Sequence, residues 1–133
     1  MNKNDSLRCQ LITPDREVFD VEATSVVFPA HDGQLGVLNK RAPLLCKMGI
    51  GVCKVTTSAG TRIYYVDGGF ARVLDNRLTI LTQHAQSSEE IDIDAARQAL
   101  AEAQSRSAPH QNAQRQRQAD IQRAATQIKV AGQ

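Results

Sequence analysis

The chain has no tryptophan and only 4% aromatic residues, which removes the stacking platforms that single-stranded nucleic acid needs. Its three cysteines, Cys9, Cys46 and Cys53, are odd in number and form no Cys-x-x-Cys pair, so neither a disulfide framework nor a zinc site is expected. Cys9 and Cys53 lie in apolar strand-like runs, where a free thiol behaves as a small hydrophobe. Buried, inert thiols in a reducing compartment are the expectation. No apolar run approaches the roughly 20 residues that cross a bilayer. Met1-Asn2-Lys3-Asn4-Asp5 is followed by no apolar segment, so no secretory signal is expected, and the Arg- and Ser-rich, acid-poor character of a transit peptide is missing.

Catalytic motifs are also missing. Gly49-Ile50-Gly51 has no third glycine and no helix behind it, so it is not a dinucleotide fingerprint, and there is no phosphate-binding loop and no nucleophile elbow. His31, His84 and His110 fall in different segments and share no metal-ligand spacing with Cys or Asp. His31 beside Asp32 reads as a solvated turn, and Asp67-Gly68-Gly69 as a source of positive φ rather than a substrate site. The chain reads as non-catalytic, with no metal and no cofactor.

What is present divides into two grammars. Up to about Ser88 the chain reads as short strands. Leu7–Leu11 alternates apolar and polar residues, the period of a half-buried strand. Val18-Phe19, Ser25–Phe28, Leu35–Leu38, Ile50–Val55, Arg62–Val66, Phe70–Leu74 and Leu78–Leu81 follow, rich in β-branched residues. Turn signals separate them at Thr13-Pro14-Asp15, His31-Asp32-Gly33, Ser58-Ala59-Gly60, Asp67-Gly68-Gly69 and Asp75-Asn76. This spacing predicts an antiparallel β-sandwich of about eight to ten strands over residues 1–88.

From residue 89 the composition turns to Ala, Gln and Arg. Glu89, Glu90, Asp92 and Asp94 crowd the switch, where carboxylates cap a helix and complement its dipole. Ala96, Ala99, Leu100 and Ala103 share one helical stripe, predicting a helix over 94–105. Ser105–Pro109 breaks it, and a second helix is predicted from about His110 to about Val130, with Ile121, Ala124, Ala125 and Ile128 as its apolar stripe. The fold class is thus α+β: a β-sandwich, then an antiparallel two-helix hairpin over 89–133. Stripes made mostly of Ala carry little apolar area. Docking them is worth a few kcal/mol at about 25 cal/mol per Å², so a partner could separate them.

The net charge is +2, and all of it lies in the helical segment: residues 1–90 carry 10 Lys+Arg against 10 Asp+Glu, and residues 91–133 carry 6 against 4. Arg115, Arg123 and Lys129 are predicted to share the sector of the second helix opposite its apolar stripe, with Arg117 near the stripe itself. They read either as a solvated polar face or as a positive edge for an acidic partner.

Leu11-Ile12-Thr13-Pro14-Asp15-Arg16-Glu17-Val18-Phe19 resembles the opening of the epsilon subunit of F-type ATP synthases. So do Asp32-Gly33-Gln34-Leu35-Gly36-Val37-Leu38 with Arg41-Ala42-Pro43-Leu44-Leu45, then Gly68-Gly69-Phe70, Leu78–Leu81 and Glu90-Ile91-Asp92. The resemblance runs in order from about Leu7 to about Ala103, closest to the chloroplast and cyanobacterial style of this subunit. It implies a non-catalytic subunit that binds gamma, rests on the c-ring, transmits rotation, and inhibits ATP hydrolysis by the catalytic alpha/beta head through its C-terminal helices. It also implies a position peripheral to a membrane, on the cytoplasmic face of a bacterial inner membrane or a plastid thylakoid. By the same match, Asp32, Gly33 and Gln34 face the c-ring with Lys40 and Arg41 near it, and Thr13 and Pro14 face gamma. Arg115, Arg123 and Lys129 approach an acidic segment of the beta subunits.

The family's ATP-binding motif, I/L-D-x-x-R-A, is broken here in both registers. Ile91-Asp92-Ile93-Asp94-Ala95-Ala96 has Ala95 where the Arg belongs, which removes the planar donor fork for a phosphate. Ile93–Gln98 keeps Arg97 but is displaced by two residues. Asp94 and Arg97 are the pair that would serve such a site, and Asp92 and Asp94 read instead as helix caps. The residues alone also admit a β-domain binding module with a basic helical tail that contacts nucleic acid; the resemblance selects the stalk subunit, with no nucleic-acid partner.

Overall fold

Short segments rich in β-branched residues build ten strands, and the Ala-rich remainder builds two helices. The computed structural model describes residues 6–133; the Met1–Asp5 start lies outside the described residues. The strands are β1 (Leu7–Thr13), β2 (Arg16–Ala23), β3 (Ser25–Ala30), β4 (Gly33–Leu38), β5 (Leu44–Lys47), β6 (Ile50–Thr57), β7 (Gly60–Asp67), β8 (Phe70–Leu74), β9 (Arg77–Leu81) and β10 (Ala85–Ser87), and the helices are α1 (Ile93–Ser105) and α2 (Gln111–Ala131). They form two five-stranded sheets, ordered β2-β1-β9-β8-β5 and β10-β7-β6-β3-β4. Two strands go beyond the alternating runs of the sequence. β5 and β10 are four and three residues long, too short for a period of two to be visible. One pairing departs from an all-antiparallel sandwich: β1 runs parallel to β9, from Arg8 opposite Arg77 to Ile12 opposite Leu81. The intervening chain forms the rest of the sandwich, so this pair has the long crossover that parallel strands require.

The inward residues of both sheets meet in one core. Leu7, Cys9, Leu11, Leu78, Ile80 and Val73 come from the first sheet, and Val26, Phe28, Val37, Cys53, Val55 and Val66 from the second. Phe19 of β2 and Tyr64 of β7 cross between the sheets with ring centroids 5.2 Å apart, within the range for aromatic pairs. Gly69 closes the turn into β8 at φ +98°, where a Cβ would lie 1.8 Å from the Leu81 carbonyl oxygen.

The helices begin where capping groups allow. The Asp92 carboxylate accepts from the Ala95 N–H at 3.1 Å, and His110 Nδ1 accepts from the Ala113 N–H at 3.2 Å. The segment between the sandwich and α1 is tied down. The Glu90 carboxylate accepts from the Ser87 N–H at 3.0 Å and from Arg16 at 2.9 Å, and Ile91 is buried with Tyr65 and Val130. α2, rather than α1, makes the main contact with the sandwich, lying across β6 and β7.

The Gly69→Ala substitution is expected to destabilise the chain by about 3 kcal/mol or more, since it adds a backbone clash to an unfavourable φ. Gly60→Ala, at φ +129° with nothing within 4 Å of the new Cβ, is expected to cost about 1 kcal/mol. Urea unfolding of the two variants measures the difference. Burial pushes the Cys53 thiol up to about 12 and raises Cys9 further, so neither forms appreciable thiolate at pH 8. A thiol reagent at pH 8 should modify half-buried Cys46 alone in the native protein and all three cysteines after denaturation.

Candidate interaction surfaces

Strand alternation predicts that the outward residues of a sheet are polar, and the first sheet breaks that rule on β5, β8 and β9. Leu45, Phe70, Leu74 and Leu81 point outward and are 70%, 52%, 43% and 49% exposed. Register places them side by side. Leu45 lies opposite Arg72, Phe70 opposite Leu81 and Leu74 opposite Arg77, so the apolar patch is interleaved with cations. Leu45, Phe70, Arg72, Thr79 and Leu81 line one shallow groove. The helices lie on the other sheet and leave this face open. A contiguous exposed apolar patch with a polar rim marks a docking surface. Its signal was present in the sequence, as apolar residues at both parities of Phe70-Ala71-Arg72-Val73-Leu74, but alternation alone does not say which parity faces out.

The loop residues singled out by resemblance lie elsewhere. Asp32 lies in the β3–β4 turn, Gly33 (φ +139°) opens β4 and Gln34 follows it; all three are exposed. Lys40 and Arg41, also exposed, lie past the other end of β4, where Lys40 (φ +61°) donates its N–H to Asn76 Oδ1 at 2.8 Å. The six residues of β4 span about 17 Å. The two groups therefore share the β4 edge rather than one loop tip. Of Thr13 and Pro14, only Pro14 offers its side chain to solvent. Thr13 is buried, with its hydroxyl 2.6 Å from Asp15 Oδ1 and 3.2 Å from the Arg16 carbonyl oxygen. It lines a polar cleft shared with Tyr65, Asp67, His84 and Arg123 at the helix–sandwich junction.

That junction corrects the expected face of α2. Ala124 and Val130 are its fully buried residues, while Ala125, assigned to the apolar stripe, is exposed. The helix packs against α1 on one side and β6–β7 on another, so its inner surface is wider than one stripe. Arg123 consequently points inward, not outward. Its Nε lies 2.7 Å from Asp67 Oδ2 on β7, and its Nη1 lies 3.0 Å from Asp120 Oδ1. Asp120 also binds Arg106 at 2.7 Å, and Arg106 binds Glu102. The Tyr65 hydroxyl donates to Asp67 at 3.1 Å. A line of alternating charge thus runs Glu102, Arg106, Asp120, Arg123, Asp67, from the end of α1 across α2 to the sheet.

The partners shift one another's titration. The hydrogen bond from Arg106 comes first in holding both Asp120 and Glu102 below the usual carboxylate range. The bond to Asp67 raises Arg123. Tyr65 is raised by burial first, then by the Asp67 charge. Arg117 sits between the helices and donates Nη2 to the Gln104 carbonyl oxygen at 2.8 Å, supplying the cation that the last turn of α1 lacks. Arg115 and Lys129 remain exposed on α2.

Asp94 and Arg97 form one 3.8 Å contact on the outside of α1 and are 85% and 63% exposed. That is a surface pair rather than a built phosphate site. No group of three or more potential metal ligands occurs among the described residues, and no helix among them is long and apolar enough to cross a membrane.

The sequence and the fold are met again in known proteins. A family profile for the ATP synthase delta/epsilon chain β-sandwich domain matches residues 6–88. The ATP synthase epsilon chain of Rhodopirellula baltica is 44% identical over 98 residues, covering 74% of this chain and 77% of that one. The ATP synthase epsilon chain of Nitratidesulfovibrio vulgaris is 36% identical over 133 residues, 96% of each, so the similarity includes the helices. A chain in the mitochondrial ATP synthase of Euglena gracilis, solved as the OSCP/F1/c-ring assembly, shares the fold with a TM-score of 0.84 at 23% identity, covering 100% of this chain and 85% of that one. The chain belongs to the ATP synthase delta/epsilon family, among its epsilon chains.

Proposed function

We propose that this chain is the epsilon subunit of the rotor of an F-type ATP synthase, a non-catalytic part that joins gamma to the c-ring and restrains ATP hydrolysis through its helices. The observation that carries this is the combination of family membership with a sandwich whose outer face is left apolar and basic. Gamma is the partner proposed for the Leu45–Phe70–Leu81 face, with Pro14 at its margin. The c-ring is proposed for the β4 edge, where Asp32, Gly33 and Gln34 at one end and Lys40 and Arg41 at the other could meet polar loops at the membrane surface. The position proposed for the subunit is peripheral, on the cytoplasmic face of a bacterial inner membrane or at a plastid thylakoid. Arg115 and Lys129, and Arg123 once released, are proposed to meet an acidic segment of the catalytic head.

A nucleic-acid role gains no support. Arg106, Arg117 and Arg123, half of the cations after residue 90, are engaged within the chain.

The test is size-exclusion chromatography with a gamma-containing catalytic head that lacks epsilon. Coelution at one copy per head is expected. Phe70→Asp is expected to weaken association about 30-fold, corresponding to about 2 kcal/mol for a buried aromatic anchor. Separate elution of the folded wild type would overturn the assignment. In the assembled enzyme, Arg115→Glu with Lys129→Glu should raise hydrolysis at low salt, where exposed charges are least screened. Unchanged hydrolysis would remove these two residues from the inhibitory contact.

A further inference from the structure

The contact between α2 and the sandwich combines a small apolar part with a defined polar part. The apolar part is Val130 against Tyr65 and Ile91, with half-buried Ile50, Val52, Ile63 and Ala131 packed around them. The polar part has three side-chain links from α2 to the sheet: Gln122 to the Ile50 carbonyl oxygen at 3.0 Å, Gln127 to Gln86 at 3.0 Å, and Arg123 to Asp67 at 2.7 Å. Among the described residues, the last is the one ion pair between α2 and the sandwich. Asp67 is well prepared for it. Its side chain is 13% exposed, its N–H lies 3.1 Å from Thr82 Oγ1 and 3.2 Å from the His84 carbonyl oxygen, and its second side-chain partner is the Tyr65 hydroxyl. Tyr65 is itself buried in the apolar part. The two parts of the contact are therefore joined through one residue, and the polar part ends on a rigid strand terminus.

Arg123 is fixed by carboxylates on both sides. Asp120, one helical turn earlier, holds Nη1, and that carboxylate moves with the helix. Asp67 holds Nε and stays with the sandwich. When α2 leaves the sheet, Arg123 keeps Asp120 and loses Asp67. A guanidinium that gives up a charge-assisted bond has a planar donor edge free for another carboxylate.

We infer that Asp67 is the sandwich's half of a latch and that Arg123 is its exchangeable half: the same guanidinium edge that holds α2 down is offered to an external carboxylate when α2 lifts. Docking and that external contact are mutually exclusive at Arg123. The external half of this inference rests on the inhibitory reading above; the latch itself does not. Arg115 and Lys129 are exposed in the docked state and bear no such exclusion.

The test is amide hydrogen exchange on the full isolated chain, read separately for α2 and for the sandwich strands, together with ATP hydrolysis of the gamma-containing head carrying each variant. Asp67→Asn and Arg123→Gln should each speed exchange across α2 about tenfold at low salt while β1, β6 and β9 stay protected. The double variant should be no faster than either single one. Raising salt should speed α2 exchange in the wild type and leave Asp67→Asn unchanged. Arg115→Gln should leave both the rate of α2 exchange and its salt response as in the wild type. The two latch variants should then part company in hydrolysis: Asp67→Asn deepens inhibition because the released Arg123 is free to act, and Arg123→Gln does not. If α2 exchange in both single variants equals wild type, the latch is wrong whatever hydrolysis does. Loss of strand protection in Asp67→Asn leaves Arg123→Gln as the deciding variant, since Arg123 is outside the sandwich. If exchange quickens in both but hydrolysis moves in neither, the latch stands and the inhibitory reading falls.

Discussion

Arg123 reaches from α2 to Asp67 on the last residue of β7, and the placement of both helices follows from that reach. α2 brings only Ala124 and Val130 to full burial, and α1 brings only Ala96 and Ala103. Alanine contributes little transfer free energy, so apolar area alone holds the hairpin weakly. Charge supplies the register. Asp120 ties Arg123 to Arg106, and Arg106 ties the end of α1 to the middle of α2, so α1 is positioned by way of α2 rather than by the sheet. Exposed ion pairs are individually weak, but this set is linked and partly shielded, and each member orients the next.

The sandwich has the opposite character. Its core is continuous across both sheets and fully apolar at its centre, and its turns use glycine where backbone geometry demands it, most tightly at Gly69. A rigid β domain bearing a hairpin held by few buried residues is a body with one stable part and one separable part. The rigid part presents the apolar and basic face of the first sheet away from the hairpin, and the free edge of β4 beside it, where Gln34 lines a cleft with Lys129 of α2. The separable part covers β6 and β7. A partner on the first-sheet face can therefore hold the sandwich without touching the helices, which suits a subunit proposed to hold its place in a rotor while its helices change state.

Much of this organisation was legible in the sequence. Alternation located β1, β-branched runs located most of the other long strands though β2 showed only as Val18-Phe19, the Asp-Gly-Gly turn announced positive φ, and Asp92 marked the start of α1. What stayed hidden was long-range. The parallel pairing of β1 with β9 joins segments nearly seventy residues apart, and no local pattern encodes it. The inner face of α2 was misread because one apolar stripe was sought where the helix has two neighbours. Ala125 was assigned inward and is exposed, whereas Arg123 was assigned outward and meets Asp67. A periodicity argument places a cation only by its angle from the apolar stripe and has no means of knowing that a carboxylate waits on another element. Asp67 itself reads as a turn residue. The outward leucines of β5 and β9 were visible as letters, but their grouping with Phe70 needed the strand register.

On the function proposed above, α2 leaves the sandwich when the subunit restrains hydrolysis. A tether across the docked interface tests it directly. Gln86 and Gln127 touch at 3.0 Å, so Gln86→Cys and Gln127→Cys, with Cys46→Ser to remove the accessible native thiol, can be joined by a short bis-maleimide. The tethered subunit is expected to assemble with the gamma-containing head but no longer to restrain ATP hydrolysis, whereas the unjoined variant restrains it. Restraint by the tethered subunit equal to that of the unjoined one would contradict it.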